Sequence, residues 1–164
     1  METRDAKQPL FLDTNVLIYA SIKEAPEYLI VRGFVEKQLA LGTPLFISRQ
    51  VLREYLSVLS RPQSNCDPIL PATLLIWLAA WRDRCQVLDD NGAVMEILWS
   101  LFAATPFGGK LVHDANIVAT MLRSSIMAAM TSVSTKQLSN ELLLSFASLN
   151  FNNDRFKVTS LPGW

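Results

Sequence analysis

Three carboxylates interrupt apolar surroundings in this chain, where an isolated charge is expensive. Asp13 ends the run Leu10-Phe11-Leu12 and is followed by Thr14, Asn15 and a second apolar run. Glu54 stands in Val51-Leu52-Arg53-Glu54-Tyr55-Leu56-Ser57-Val58, with Val51 at i−3 and Val58 at i+4 on its helix face. Asp114 opens a segment whose stripe at i+3, i+4 and i+7 is Ile117, Val118 and Met121. Each acid therefore points toward the side its element buries. Grouped carboxylates repel, and a hard cation keeps them ionised; Mg2+ or Mn2+ suits an all-oxygen site of one or two carboxylates plus waters. Such a cation lowers the pKa of a bound water and neutralises charge growing on a phosphate. The chemistry implied is phosphodiester hydrolysis without a protein nucleophile. Thr14 and Asn15 offer oxygens that could position a water there or cap the next helix. Plainer roles compete: Asp13 and Asp114 as N-caps, and Glu54 as a solvated helix residue.

Other chemistries have little to work with. The single histidine, His113, has no Ser or Cys in a recognisable nucleophile setting. There is no GxSxG elbow, no P-loop and no dinucleotide glycine fingerprint. Gly108-Gly109-Lys110 lacks the spacing of a phosphate cradle. Lys110 could touch an RNA phosphate as a point charge, against the plainer role of a solvated loop lysine.

Composition narrows the class. A chain of 164 residues, half of them apolar, is expected to form one domain over 1–164 and to bury roughly two thirds of its unfolded surface. Fifteen basic side chains balance fifteen acidic ones, unlike domains that coat nucleic acid by bulk electrostatics. Cys66 and Cys85 show no metal-ligand spacing, and two lone thiols fit a reducing cytosol. The polar stretch Met1 to Gln8 has no signal-peptide core, and no apolar run reaches the roughly 18 residues of a membrane span. A cytoplasmic protein without a membrane segment is the expectation.

The elements that must position the acids follow from periodicity and punctuation. Strands are expected at Leu10 to Leu12, Leu45 to Ile47, Gln86 to Leu88 and Leu142 to Phe146, with a short last one inside Phe156 to Leu161. A first helical turn or two covers Val16 to Ile22, and an amphipathic helix covers Glu27 to Ala40 with Leu29, Ile30, Phe34 and Leu39 apolar. Ser48 caps a helix from Arg49 to Ser60. A further helix, Leu70 to Arg82, carries Leu74, Leu75, Leu78 and Trp81 on one face. Asp90 or Asn91 caps the helix from Ala93 to about Ala104, and Val112-His113-Asp114-Ala115 opens the next. Ala128 to Glu141 shows no clean period. Strands alternating with helices predict an α/β fold: a three-layer α/β/α sandwich around a central parallel sheet. Asp13 would then sit at the carboxyl rim of the strands, where ligands bind in such folds.

Three segments together resemble the PIN-domain nucleases, and most of all the VapC-type toxins of bacterial toxin–antitoxin pairs. They are Phe11-Leu12-Asp13-Thr14-Asn15-Val16-Leu17-Ile18, Ser48-Arg49-Gln50-Val51-Leu52-Arg53-Glu54-Tyr55 and Gly109-Lys110-Leu111-Val112-His113-Asp114-Ala115-Asn116-Ile117-Val118-Ala119. The resemblance implies a parallel sheet sandwiched by helices, Mg2+- or Mn2+-dependent endoribonuclease activity, frequent homodimerisation and an antitoxin that blocks the site. It makes Asp13, Glu54 and Asp114 the metal-binding acids. Family members usually carry Thr-x-Asn-x-x-Asp-Phe after the third acidic motif. Here Leu143-Leu144-Ser145-Phe146-Ala147-Ser148-Leu149-Asn150-Phe151 is the best match, so Asn150 would take the place of the fourth acid, with Asp154 ranked second. Two functions follow from these residues: a metal-dependent ribonuclease of the toxin type, or a degenerate PIN domain that binds RNA or an antitoxin without cleaving. A phosphate-receiver or aspartyl phosphatase reading needs a second acid two residues after Asp13, or an acid pair beside it; Asn15 stands in the first of those places.

Overall fold

The computed structural model describes residues 8–62, 67–104, 106, 108–109, 111–126, 128–131 and 157–160. Lys110, Asn150, Asp154, Cys66 and the strand expected at Leu142 to Phe146 lie outside the described residues.

Among the described residues, five parallel strands form one sheet: β1 (Leu10–Leu12), β2 (Leu45–Ser48), β3 (Gln86–Leu88), β4 (Ala128–Thr131) and β5 (Lys157–Ser160), in the order β3-β2-β1-β4-β5. Six helices connect the first four strands: α1 (Thr14–Ser21), α2 (Tyr28–Ala40), α3 (Arg49–Leu59), α4 (Pro71–Arg84), α5 (Gly92–Ala104) and α6 (Leu111–Arg123). The crossovers run from β1 to β2 to β3 on one side, then jump back past β1 to β4. Right-handed crossovers therefore carry α1 to α4 over one face and α5 and α6 over the other. The reversal makes the gap between β1 and β4 the switch point of the sheet, where a crevice opens beyond the strand ends.

β1 is buried along its whole length, with Phe11 and Leu12 at 0% exposure. A strand covered on both faces needs no polar alternation, which is why Leu-Phe-Leu can be central. Phe11 pairs with Phe46 of β2 on one side and with Ala129 of β4 on the other. Around it, Val16, Leu17, Val31, Val35, Ile47, Val51, Tyr55 and Leu59 build the main core. Val94, Leu98, Leu101, Ala115 and Ala119 form a second cluster between α5 and α6.

Several local expectations need correction. In α2 the buried residues are Val31 and Val35, while Leu29 and Ile30 are 80% and 53% exposed. Val31 and Val35 are one helical turn apart, and the helix turns that β-branched stripe to the core rather than the longer leucine and isoleucine. In α4, Leu74 and Trp81 are buried but Leu75 is 64% exposed. β4 lies inside the segment read as having no period. Ala-Ala-Met-Thr carries little intrinsic strand preference; the pairing with β1 and β5 makes it a strand. Among the described residues no helix is long and apolar enough to cross a membrane.

Candidate active site

The carboxyl rim of the sheet collects the starts of α1, α3 and α6. Asp13 follows β1 directly, still extended at φ −76° and ψ 162°, and α1 begins at the next residue. Its Oδ1 accepts a hydrogen bond from the Thr14 backbone N–H at 2.6 Å. The positive end of the α1 dipole favours a charge there, so a buried Asp13 is held at the rim by its own helix. The capping role and a chemical role do not exclude each other, because capping is what fixes the carboxylate in place. Its negative charge is felt along α1: the Tyr19 hydroxyl is pushed above its ordinary pKa, first by burial and then by Glu27 and Asp13.

α3 starts as the sequence requires. Ser48, the last residue of β2, accepts the Val51 N–H on its hydroxyl at 3.2 Å. That cap fixes the phase of the helix. Val51, Tyr55 and Leu59 face the core, and Glu54, half-buried, lies on the edge of that face. The Glu54 carboxylate accepts two side-chain hydrogen bonds. Thr14 Oγ1 donates to Oε2 at 2.8 Å across forty residues of sequence, and Gln50 Nε2, one turn back on α3, donates to Oε1 at 2.7 Å. The same Gln50 nitrogen donates to the His113 carbonyl at 3.1 Å, tying α3 to the first turn of α6. Asp114 is the next residue and is half-buried. The His113 ring is exposed, with Nδ1 3.8 Å from Glu54 Oε1.

The structure thus links Thr14, beside Asp13, to Glu54, and Glu54 through Gln50 to the backbone beside Asp114. It brings the neighbourhoods of the three acids to one rim. Their donor chemistry, carboxylate oxygens with hydroxyl and amide neighbours, suits a hard cation. A finished cage is not what these side chains form: among the described residues, no group of three or more His, Cys, Asp or Glu side chains is placed to hold a metal ion. Both Glu54 oxygens accept hydrogen bonds, from Thr14 and from Gln50. The residues fit a divalent ion in kind, and Glu54 would have to share or release these donors to hold it.

Two members of this network were not singled out from the sequence. Gln50 is 5% exposed, and Asn116 of α6 donates from Nδ2 to Gln50 Oε1 at 2.7 Å. The available signal was an amide four residues before Glu54 on the same helix face, and another two residues after Asp114 among apolar neighbours. Thr14 and Asn15 sit in the first turn of α1 as expected, and the Thr14 hydroxyl is engaged by Glu54.

A family model described as PIN domain matches residues 10–132, which takes in β1 to β4 and α1 to α6. Ribonuclease VapC24 of Mycobacterium tuberculosis is 26% identical over 113 residues, 68% of this chain and 77% of that protein. Among solved structures, VapBC2 from Rickettsia felis bound to a DNA fragment from its promoter superimposes with a TM-score of 0.63 at 16% identity, covering 93% of this chain and 98% of that one. VapC20 of Mycobacterium tuberculosis, a sarcin–ricin loop cleaving toxin, gives 0.54 at 18% identity over 73% of this chain and 86% of its own. At such identities the structural likeness speaks for the fold, while the sequence model reaches across the whole described rim. The chain belongs to the PIN domain family.

Proposed function

We propose that this chain is a metal-dependent endoribonuclease and the toxin of a toxin–antitoxin pair. The observation that carries the reading is the 2.8 Å hydrogen bond from Thr14 to Glu54. It joins the residue after Asp13 to a second acid forty positions away, at the crevice where such sheets bind ligands. The family membership and the likeness to a protein named a ribonuclease support the same chemistry.

Asp13, Glu54 and Asp114 would hold a Mg2+ or Mn2+ ion, with Asn150 as a neutral fourth oxygen donor. Once bound, that ion supplies an activated water and neutralises the charge that builds on the phosphodiester. The chain's own part is placement. The α1 N-terminus favours the negative charge of Asp13 at the rim. Thr14, released from Glu54, presents its hydroxyl to the attacking water, and Asn15 lies beside it. Lys110, just before α6, would pair with an RNA phosphate.

The DNA-bound VapBC2 complex among the structural relatives supports a cognate antitoxin as partner; a homodimer as the working unit belongs to the same proposal. The second reading, a binding module that does not cleave, is favoured by the engagement of both Glu54 oxygens and by Asn150 at the place that the resemblance assigns to an acid. Calorimetric titration with Mn2+ and an RNA cleavage assay separate the two. The nuclease binds Mn2+ and cuts RNA only with the ion present, and Asp13→Asn abolishes both. A native protein that binds no Mn2+ and leaves RNA intact returns the chain to the binding-module reading.

A further inference from the structure

The Glu54 carboxylate dictates the orientation of two amides beyond itself. A carboxylate only accepts, so Gln50 must turn its NH2 group toward Glu54, and the His113 carbonyl, also an acceptor, demands the same nitrogen. The Gln50 oxygen then faces Asn116 and must meet a donor; Asn116 presents Nδ2 at 2.7 Å. Its Thr120 neighbour donates to the Asn116 main-chain carbonyl at 2.8 Å, anchoring the turn of α6 that carries the amide. Each orientation is forced by the one before. The series ends at Asn116 Oδ1, a buried acceptor without a hydrogen-bond partner among the described residues.

We propose that Gln50 and Asn116 are positioning residues: a one-way amide relay from α6 to α3 that aims the Glu54 carboxylate and thereby sets the affinity of the acidic rim for a divalent cation. The proposal rests on the cation-binding reading above and adds two residues to it. Partners of this kind, hydrogen-bonded to ligating carboxylates, typically change metal affinity ten- to a hundredfold when altered.

Asn116→Asp is the decisive variant. It is nearly isosteric but sets an acceptor against the Gln50 oxygen, so the Gln50 amide loses its anchor on α6 and is pushed away from its place beside Glu54. The relay therefore predicts Mn2+ affinity, by calorimetry, weaker by about tenfold. Simple electrostatics predicts the opposite, because the variant adds a negative charge. Gln50→Met, which keeps the volume and removes the amide, should weaken Mn2+ binding similarly, and it serves if the first variant does not fold. The Gln50 side-chain NH2 resonances in 15N spectra provide a readout that needs no metal: Asn116→Asp must shift them. Equal or tighter Mn2+ binding by both folded variants overturns the proposal. If the native protein takes up no Mn2+, the nuclease reading fails by itself; the relay then stands or falls on the spectra, and unchanged Gln50 resonances in Asn116→Asp overturn it.

Discussion

Replacing Asp13 by Asn separates the two roles that this residue combines. Asn caps a helix about as well as Asp, and its Oδ1 can still accept the Thr14 N–H that is now bonded at 2.6 Å. Without divalent ion, the variant should therefore unfold within about 0.5 kcal/mol of the native chain. The difference appears when the ion is added. A ligand that binds only the folded state stabilises it by RT ln(1 + [L]/Kd), about 2.7 kcal/mol at a hundredfold excess over Kd. For a chain of this length each kcal/mol moves Tm by roughly 2 to 4 °C, so Mn2+ should raise the native Tm by roughly 5 to 10 °C. Asp13→Asn should show little of that rise. Its RNA cleavage should fall at least a hundredfold, about 2.7 kcal/mol of barrier. The assay is a pair of thermal melts with and without Mn2+, run beside gel-based cleavage. An Asp13→Asn protein whose Tm climbs as far as the native one with Mn2+ would refute the assignment of Asp13 to the cation. One that is several kcal/mol less stable without metal would show that the residue is structural in a way capping does not explain.

Other outcomes test the frame that carries the rim. Ser21 Oγ accepts from the Tyr55 hydroxyl at 2.8 Å and the Trp81 indole at 3.3 Å while donating to the Leu17 carbonyl. Ser21→Ala should therefore cost roughly 2 to 4 kcal/mol by chemical denaturation, against about 1 for Tyr55→Phe, which removes a donor rather than orphaning two. The corrected face of α2 predicts that Val35→Ala, at a site 1% exposed, costs roughly 2 kcal/mol, whereas Leu29→Ser stays within about 0.5; equal losses would restore the leucine face. Burial pushes the Cys85 thiol up to about 12, with Arg84 opposing the shift. The sulfur stays protonated and below reach at pH 8, so alkylation of Cys85, read by peptide mass spectrometry, should occur only after denaturant is added.

The strands at Leu10–Leu12, Leu45–Ser48 and Gln86–Leu88 and the helices between them were legible because each has a local cause. Ser48 and Asn91 cap α3 and α5 with hydrogen bonds that their side chains make in place. β4 has no such cause. Ala128 to Thr131 becomes a strand through its partners on either side, and a one-dimensional pattern cannot express that. The same limit misdirected the face of α2: periodicity gave the helix, but it could not decide between two apolar stripes when only one enters the main core.

At the rim the asymmetry is chemical. A carboxylate among apolar residues is conspicuous because its burial is so unfavourable, and Asp13, Glu54 and Asp114 could be picked out for that reason. Gln50, buried, and Asn116, half-buried, are neutral, common on helix surfaces, and give no comparable sign of where they sit. Their importance arises only once α3 and α6 are side by side and every donor must find an acceptor. The order of dependence then runs opposite to the order of visibility. The charge on Glu54 fixes the direction of Gln50, Gln50 fixes Asn116, and the residue least visible in the sequence is the one whose Oδ1 meets no hydrogen-bond partner among the described residues. A change at Asn116 should therefore be felt at Glu54, through two hydrogen bonds and without any change in the acids themselves.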